Sequence, residues 1–129
     1  MTVRIGFIVE GKFDKRVVSK AFPDATVVVT NGNGFSKRVR AKIIRLVNSH
    51  DVVVCLSDPD DAGDILAKKI IEMFPTVLRV RVPEERARIL QNRGYKHGIE
   101  YCSPAFLKDY VYKSLIESLL EEVVQVKPK

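Results

Sequence analysis

The sequence predicts an α/β fold: one parallel, Rossmann-like sheet of about four strands, covered by helices. Two observations lead to this prediction. Short segments rich in Val and Ile alternate along the chain with segments whose apolar residues follow helical spacing, and that alternation is typical of right-handed βαβ units. In addition, the segment 51–57 is apolar almost throughout, as expected for a strand that helices cover on both faces.

The predicted strands are short, β-branched segments that end at turn-forming residues. They are residues 3–9, 25–30, 51–57 and 76–82. The last of them alternates apolar residues with arginine, so we expect it nearer an edge of the sheet. The second strand leads into an Asn-Gly-Asn-Gly sequence at 31–34, which predicts a turn because Asn and Gly tolerate positive φ.

The predicted helices fill the segments between the strands and the end of the chain. They are residues 12–22, 36–48, 61–74 and 104–124. Ser36 is well placed to be the N-cap of the second helix. The basic segment 83–103 predicts a loop that could contain a short helix or strand. We therefore expect residues 1–129 to form one domain, with a core over about 3–103 and a C-terminal helix.

Acidic residues follow two of the predicted strands. Glu10 comes directly after the first strand, and Asp58 and Asp60 come after the third. Because parallel strands end at one edge of the sheet, where ligands bind, we expect these carboxylates to meet there. Clustered carboxylates repel each other unless a cation lies between them, and hard oxygen ligands suit Mg²⁺ or Mn²⁺. The pattern predicts a site for metal-assisted phosphate chemistry.

These acidic residues also have simpler structural explanations. Asp60 or Asp61 alone could be the N-cap of the following helix, and Glu10 with the next glycine could form only a strand-to-helix turn. The occurrence of both motifs at strand ends, in this order, favours the metal site. An extended segment at 58–60 would also point both aspartates to the same side, because residues i and i+2 do so in a strand.

The distribution of charge indicates a polyanionic partner. Lys and Arg outnumber Asp and Glu by 22 to 16, which gives a formal net charge of +6, and the cations gather in two groups. The first group is Lys37, Arg38, Arg40, Lys42 and Arg45. Within it, Arg38, Lys42 and Arg45 would share one face of a helix. The second group is Arg79, Arg81, Arg86, Arg88, Arg93 and Lys96. A solvated helix face would carry the same pattern as the first group.

Several other functional classes find no support in the sequence. There is no GxxxxGK[ST] or GxSxG motif, and Lys37 stands where a dinucleotide fingerprint needs its third glycine. Cys55 lies in a predicted buried strand and Cys102 in a distant loop, and the two lack zinc-ligand spacing. We therefore expect both to behave as small apolar residues in a reducing cytoplasm. His50 lies at a predicted helix end, where histidine often caps carbonyl groups. No apolar run approaches the roughly 20 residues that cross a bilayer, and a signal peptide is not expected. The prediction is a cytoplasmic protein without membrane association.

Together, the motifs resemble the Toprim domain family, the metal-binding catalytic domain of topoisomerases, bacterial primases, recombination proteins and some nucleases. That family carries Glu-Gly after its first strand and Asp-x-Asp, followed by glycine, after its third. Here the matching residues are Glu10-Gly11 and Asp58-Pro59-Asp60 with Gly63. The resemblance covers roughly residues 3–103. The segments IVEGKFDKRVV, TNG, LSDPDDAG and HGIEYCS are also similar to the nucleases that mature 5S ribosomal RNA, and small stand-alone Toprim proteins share several of them.

The resemblance implies a role for each matching residue. Glu10 would act as a general acid or base or as a metal ligand, and Asp58 and Asp60 would coordinate Mg²⁺, with Mn²⁺ as a substitute. Lys12 and Asn31 would hold a phosphate oxygen at the same edge. Further accessory candidates are Asp14, Asp61 and Glu100. Helix-start electrostatics or simple exposure to solvent would also explain Lys12 and the accessory residues.

The function that the resemblance implies is Mg²⁺-dependent hydrolysis of phosphodiester bonds, in RNA more than in DNA, in a processing step similar to 5S rRNA maturation. The basic group at 37–45, including Lys37, Arg38, Lys42 and Arg45, would grip the nucleic-acid backbone. The main alternative is a non-catalytic Toprim module that binds nucleic acid as an adaptor and needs a partner protein for activity. Recognition of small nucleotides is a weaker alternative, because few aromatic residues lie near the site to stack on a base.

The C-terminal segment bears on this choice. The 5S maturases carry further sequence there that engages RNA, whereas here we expect about one long helix. Its apolar residues are Leu115, Ile116, Leu119, Leu120, Val123 and Val124. They would pack on the sheet, as a helix of this length usually does, or they would contact a protein partner or a second copy of the chain.

Overall fold

A computed structural model describes residues 2–32 and 34–126, with side chains as far as residue 122. Four parallel strands form the central sheet in the order β2-β1-β3-β4. They are β1 (Ile5–Val9), β2 (Thr26–Val29), β3 (Val52–Cys55) and β4 (Leu78–Arg79). The helices are α1 (Lys12–Ala21), α2 (Lys37–Ser49), α3 (Asp61–Met73) and α4 (Pro104–Val126). The predicted α/β class and parallel sheet are confirmed.

Helices cover both faces of the sheet. Phe7 and Val9 of β1 pack with residues of α1 and α4, whereas Ile8 between them packs with residues of α2 and α3. Each of these three side chains is completely buried, which contributes about 1.5–3 kcal/mol per residue. The alternation of faces along β1 therefore produces two apolar layers, and the continuous apolar character of the strands follows from that double cover.

Helix α2 begins and ends with side-chain caps. The Ser36 hydroxyl accepts a hydrogen bond from the Val39 amide at 3.1 Å, as predicted for an N-cap. At the other end, His50 Nδ1 lies 3.1 Å from the Leu46 carbonyl oxygen, and Nε2 lies 3.2 Å from Thr26 Oγ1 on β2. The histidine is therefore a C-terminal cap, which was the expected use.

The predicted strand at 76–82 is much shorter in the structure. Only Leu78 and Arg79 pair with β3, and the Val80 amide adds one bond of 3.2 Å to the Cys55 carbonyl. Beyond it the chain passes Pro83 into a 3₁₀ turn at Glu84–Arg86. Proline has no N–H to continue a strand ladder, so this strand could not have extended beyond Val82.

The segment 83–103 contains more regular structure than the sequence predicted. An antiparallel hairpin pairs β5 (Arg88–Gln91) with β6 (Gly94–His97), and a second 3₁₀ turn follows at Ile99–Tyr101. Gly94 has a φ of 106°, a left-handed conformation that closes the turn and that glycine adopts without strain.

The loop between β3 and α3 is a tight turn rather than the extended segment expected at 58–60. The Asp60 amide donates to the Asp58 carbonyl at 2.9 Å, which closes the chain around the buried proline between them. The Ser57 hydroxyl donates to the Gly63 carbonyl at 2.7 Å. A Cβ atom on Gly63 would lie 1.9 Å from the Asp58 carbonyl oxygen, so this approach requires glycine.

Asp14 joins two parts of the chain that lie 86 residues apart. Its Oδ2 accepts from the Gly11 amide and its Oδ1 from the Glu100 amide, both at 3.1 Å. The side chain is buried, and that burial raises the pKa of Asp14 to about 6, although the two hydrogen bonds act in the opposite direction. Asp14 therefore fastens the start of α1 to the second 3₁₀ turn.

The C-terminal helix α4 packs along its first half only. Leu107 and Val111 are completely buried, whereas Ile116, Leu119 and Leu120 are each about 60% exposed. Val123 and Val124, predicted to belong to the same apolar face, lie outside the side chains that the structure describes. Of the predicted apolar residues, Leu115 packs against the core as expected, whereas the packing expected for Ile116, Leu119 and Leu120 is wrong.

Both cysteines, Cys55 and Cys102, are buried and unpaired. Burial was predicted for Cys55 in its strand, whereas Cys102 was expected in a loop. Burial raises the pKa of each thiol to about 11. Within the described part of the chain, no helix is long and apolar enough to cross a membrane.

Replacement of Gly63 tests the close approach in the β3–α3 loop. We expect Gly63→Ala to lower the free energy of unfolding by about 1–3 kcal/mol, because the methyl group must displace the Asp58 backbone. Gly34→Ala is the matched control, since a Cβ there meets no atom within 4 Å. Urea unfolding followed by circular dichroism measures both. Equal stability of the two variants would contradict the role of Gly63.

Replacement of Asp14 tests the tie between α1 and the second 3₁₀ turn. An asparagine has one acceptor oxygen for two backbone donors, so Asp14→Asn leaves a buried N–H unpaired and should cost about 1–3 kcal/mol. Asp24→Asn, at an exposed position, should change stability by less than about 0.5 kcal/mol. The same urea titration compares the two, and a neutral Asp14→Asn variant would show that this tie contributes little.

Candidate metal and phosphate site

Three strands end at the same edge of the sheet, and each is followed by a candidate site residue. Glu10 follows β1, Asn31 lies just beyond β2, and Asp58 lies just beyond β3. The backbone amide of Asn31 donates to the backbone carbonyl of Glu10 at 2.8 Å. The backbone amide of Asp58 donates to the side-chain oxygen Oε1 of Glu10 at 3.1 Å. The structure therefore brings Glu10, Asn31 and Asp58 together from distant parts of the sequence.

The carboxyl group of Asp58 lies in an electrostatically unfavourable position for a negative charge. Burial, and after it the nearby carboxylates of Asp14, Glu10 and Asp60, raise its pKa to about 7, although a hydrogen bond from the Ile99 amide acts in the opposite direction. That bond, to Oδ1, is 2.8 Å long. Because the charges around Asp58 are mostly negative, a cation at this point would relieve their repulsion.

Asp60 and Asp61 occupy the start of α3. Asp60 is the N-cap, and its Oδ1 accepts from the Gly63 amide at 2.7 Å. This is the structural alternative that the sequence left open, and it leaves the second oxygen of Asp60 for another ligand. Asp61 is exposed in the first turn of the helix, where a negative charge interacts favourably with the helix dipole.

Glu100 lies half-buried in the second 3₁₀ turn. Its amide donates to Asp14, and its carboxylate contributes to the raised pKa of Asp14 after the larger effect of burial. The accessory candidates Asp14 and Glu100 are therefore neighbours of each other. Asp14 in turn acts on Asp58, which places the pair beside the carboxylate site.

The carboxylates fit Mg²⁺ or Mn²⁺ by their chemistry but are not gathered around one point. Among the described residues, no three Asp, Glu, His or Cys side chains are arranged to hold one ion. Glu10, Asp58 and Asp60 each accept one backbone hydrogen bond on a single oxygen, so a second oxygen of each remains. Mg²⁺ needs only one or two protein carboxylates when water and phosphate complete its shell. The ligand set of Glu10, Asp58 and Asp60 stays a prediction.

Arg79 and Asp64 are site residues that sequence reasoning missed. Arg79 Nη2 donates to the Asp58 carbonyl at 3.1 Å, and Nη1 donates to Asp64 Oδ1. Arg81 Nε donates to the same oxygen at 2.9 Å, and hydrogen bonds from Arg81 and then Arg79 lower the pKa of Asp64. The sequence did contain a sign of the Arg79 contacts. Arg79 lies between Leu78 and Val80 in a predicted strand, and a charge buried there requires a partner.

Two buried polar atoms near the strand ends lack a hydrogen-bond partner within the described ranges. They are Thr30 Oγ1 and Arg79 Nε. Thr30 follows β2 and precedes Asn31, which has a φ of 59°, the positive value predicted for this turn. Asn33, from the same predicted turn, lies outside the described residues.

The second basic group divides into three parts. Arg79 and Arg81 are paired with Asp64. Arg86 lies 4.0 Å from the ring centroid of Phe106, and Arg88 lies 3.9 Å from that of Tyr95. Arg93 and Lys96 are exposed. The group is therefore not one uniform patch, and its first two members support the acidic loop.

A groove of about 580 Å³ runs along β2, the outer strand of the sheet next to β1. None of its described lining residues is acidic. Four of them are cations: Arg4, Lys15, Lys42 and Arg45. Asn31 also lines the groove. Of the predicted phosphate-binding residues, Asn31, Lys42 and Arg45 thus share one surface that begins at the carboxylate edge.

The other predicted phosphate contacts lie outside this groove. Lys12 is exposed in the first turn of α1, with its Nζ 5.3 Å from the ring centroid of Phe13. Lys37 and Arg38 are exposed at the start of α2. The first turn of α2 contains no acidic residue, so these two cations stand at the positive end of the helix dipole.

Comparisons with known proteins agree with this arrangement. The profile of the Toprim domain matches residues 6–91. Ribonuclease M5 of Lactiplantibacillus plantarum is 34% identical over 101 residues, which is 78% of this chain and 52% of that protein. Ribonuclease M5 of Bacillus subtilis is 31% identical over 103 residues, 80% of this chain and 53% of that protein. The chain spans about half the length of these two relatives.

A solved structure has the same fold. It is a small TOPRIM domain protein from Bacillus stearothermophilus, which superposes with a TM-score of 0.66 over 92% of this chain and 95% of the other, at 23% sequence identity. The matched profile covers 86 of 129 residues and includes both acidic motifs. With the observed order of strands and helices, these findings establish that the chain belongs to the Toprim domain family.

Proposed function

We propose that this protein is a metal-dependent ribonuclease that hydrolyses phosphodiester bonds in structured RNA, in a processing step similar to 5S rRNA maturation. The observation that carries the proposal is the hydrogen bond between Glu10 and the Asp58 amide, which joins the two acidic motifs 48 residues apart at the ligand-binding edge of the sheet. The similarity to proteins named ribonuclease M5 supports RNA as the substrate.

The proposed metal is Mg²⁺, with Mn²⁺ as a substitute, held by the second oxygens of Glu10, Asp58 and Asp60. Such an ion, when bound, neutralises the phosphate and stabilises charge on the leaving oxygen. Glu10, half-buried at this edge, would use its second oxygen either as a ligand of the metal or as the base that accepts a proton from an attacking water. Arg79 holds the Asp58 carbonyl and so fixes the acidic loop before substrate binds.

The basic residues of α2 and the groove along β2 supply the proposed contacts to the RNA backbone. Phosphate contacts of this kind give affinity and orientation but little sequence discrimination. Lys37 and Arg38 lie against the dipole of α2, at a cost of about 0.3–1 kcal/mol each. A cation kept in an unfavourable place supports a role in binding a polyanion rather than a role in folding.

A partner-dependent module is the second candidate function. The exposed apolar side chains of Ile116, Leu119 and Leu120 on α4 favour it, because such a face commonly contacts another protein. This chain matches about half of the ribonuclease M5 relatives. In this second candidate function, a partner protein would supply the RNA specificity that the other half of those relatives would provide. Buried, unpaired cysteines accord with a reducing cytoplasm, where we expect the protein to act.

Cleavage of labelled nucleic acids tests the ribonuclease proposal. The panel holds 5S precursor RNA, an unrelated RNA hairpin, and single- and double-stranded DNA, each with Mg²⁺, Mn²⁺ or chelator. We expect metal-dependent cutting of RNA that falls by at least about 100-fold in Glu10→Gln and in Asp58→Asn, because each removes an acid–base or ligand oxygen.

One control variant and two further outcomes complete this test. Asp24→Asn, which removes an exposed carboxylate far along the chain from the acidic motifs, should cut RNA as the wild type does. Salt-sensitive RNA binding without cutting under any metal would exclude a stand-alone nuclease and favour the partner-dependent module. Cutting that persists in chelator would exclude the metal mechanism.

The salt dependence of RNA binding tests the groove. We expect the double variant Lys42→Ala/Arg45→Ala to weaken binding and to reduce the slope of log K against log [salt] by about 1.4–1.8, since each lost phosphate contact removes about 0.7–0.9. The matched double variant Lys20→Ala/Lys68→Ala removes two exposed lysines outside the groove. Fluorescence anisotropy between low and moderate salt measures the slopes, and equal slopes would remove the groove from the RNA path.

A further inference from the structure

The hairpin formed by β5 and β6 is exposed on both faces. Its strands pair from Arg88 with His97 to Gln91 with Gly94, and every residue of the two strands except His97 is exposed. A two-stranded hairpin is at best marginally stable alone in water. Both faces of this one are therefore free to contact another molecule.

The charge of the hairpin has one sign. Between Glu85 and Glu100 the sequence contains no acidic residue. The cations in that interval are Arg86, Arg88, Arg93 and Lys96. Neither Arg93 nor Lys96 takes part in an ion pair among the described residues, unlike Arg79 and Arg81. The hairpin is thus complementary to a polyanion.

One face of the hairpin carries an exposed aromatic ring. Leu90 and Tyr95 are cross-strand partners and share this face with Arg88 and His97. Leu90 is 70% exposed and Tyr95 is 52% exposed. The Arg88 guanidinium lies 3.9 Å from the Tyr95 ring centroid, which holds the ring in place while half of its surface stays open. A fixed ring beside cations is suited to stack an unpaired base.

The base of the hairpin is fastened to the carboxylate site. The Gly98 amide donates to the Ala87 carbonyl at 2.8 Å, and the next residue, Ile99, is completely buried and donates to Asp58 Oδ1 at 2.8 Å. A molecule bound on the hairpin would consequently lie near the proposed site of cleavage.

We propose that this hairpin binds unpaired nucleotides of the RNA substrate, with a base stacked on Tyr95 and with Arg93 and Lys96 beside the phosphates. The inference rests on the proposed function, since it takes RNA as the substrate. The absence of acidic residues from segment 86–99 and the tie to Asp58 favour RNA over a protein partner, because the cores of protein interfaces are depleted of charged residues.

The test measures binding of two RNA probes to the full chain in the presence of chelator. One probe is an RNA hairpin with a single-stranded extension that contains 2-aminopurine, and the other is the same hairpin with its extension paired. We expect Tyr95→Ala to weaken binding of the first probe by about 5- to 100-fold and to leave the second unchanged. In the wild-type complex the 2-aminopurine fluorescence should be quenched by stacking, and in Tyr95→Ala it should not.

Matched variants separate the ring from the charge and from folding. Tyr95→Phe keeps the ring and should keep both the affinity and the quenching. Arg93→Ala should weaken binding of both probes and lower the salt slope, whereas Lys20→Ala, at an exposed position on α1, should do neither. Circular dichroism checks that each variant is folded.

Three results would overturn the inference, and they differ from one another. If Tyr95→Ala binds the first probe as the wild type does, the hairpin is not an RNA site, although the proposed function stands. If the wild type binds neither probe, the proposed function fails and the inference fails with it. If Tyr95→Ala leaves RNA binding intact but changes the sedimentation behaviour, the hairpin contacts a second copy of the chain instead.

Discussion

Asp58 connects its own loop with three segments that are distant in sequence. Its backbone amide donates to Glu10, its backbone carbonyl accepts from Arg79 and from the neighbouring Asp60, and its side chain accepts from the Ile99 amide. Asp58 therefore ties the end of β1, strand β4 and the base of the hairpin to the start of α3. The glycine at 63 is the condition for this arrangement, because any larger side chain would occupy the space of the Asp58 carbonyl.

This junction carries an electrostatic cost that packing must offset. Burial and three neighbouring carboxylates raise the pKa of Asp58 to about 7, and burial raises that of Asp14 to about 6. For an acid whose pKa is higher in the folded protein, the ionised form is the destabilising one, so this part of the stability falls as pH rises from about 4 to about 7. A stability-driven design would not gather these carboxylates, and a site that binds a cation would.

The sequence predicted those features that depend on local chemistry and on the rule that parallel strands end at a common edge. Ser36 as a cap and Glu10 beside Asp58 are of this kind. It predicted less where one residue type has two uses. Asp60 is a helix cap, and from sequence a capping aspartate looks the same as a metal ligand. Arg79 pairs with Asp64, a contact between α3 and β4 that no local pattern reveals. A short strand was allowed for within 83–103, but the pairing of 88–97 into a hairpin was missed because its two-residue turn, Asn92-Arg93, is not the usual Asn-Gly pair.

The formal net charge of +6 becomes informative once the ion pairs are assigned. Arg79 and Arg81 are balanced by the carboxylates of Asp64 and Glu84, so these two arginines add little to the positive field around the protein. Exposed cations on α2, along the β2 groove and on the hairpin flank or lead to the carboxylate edge, and further exposed lysines, such as Lys20 and Lys68, lie on α1 and α3. Positive surfaces next to a buried negative centre would attract a phosphate backbone, and a bound cation would offset the negative centre. This division of charge supports the proposed phosphodiester substrate.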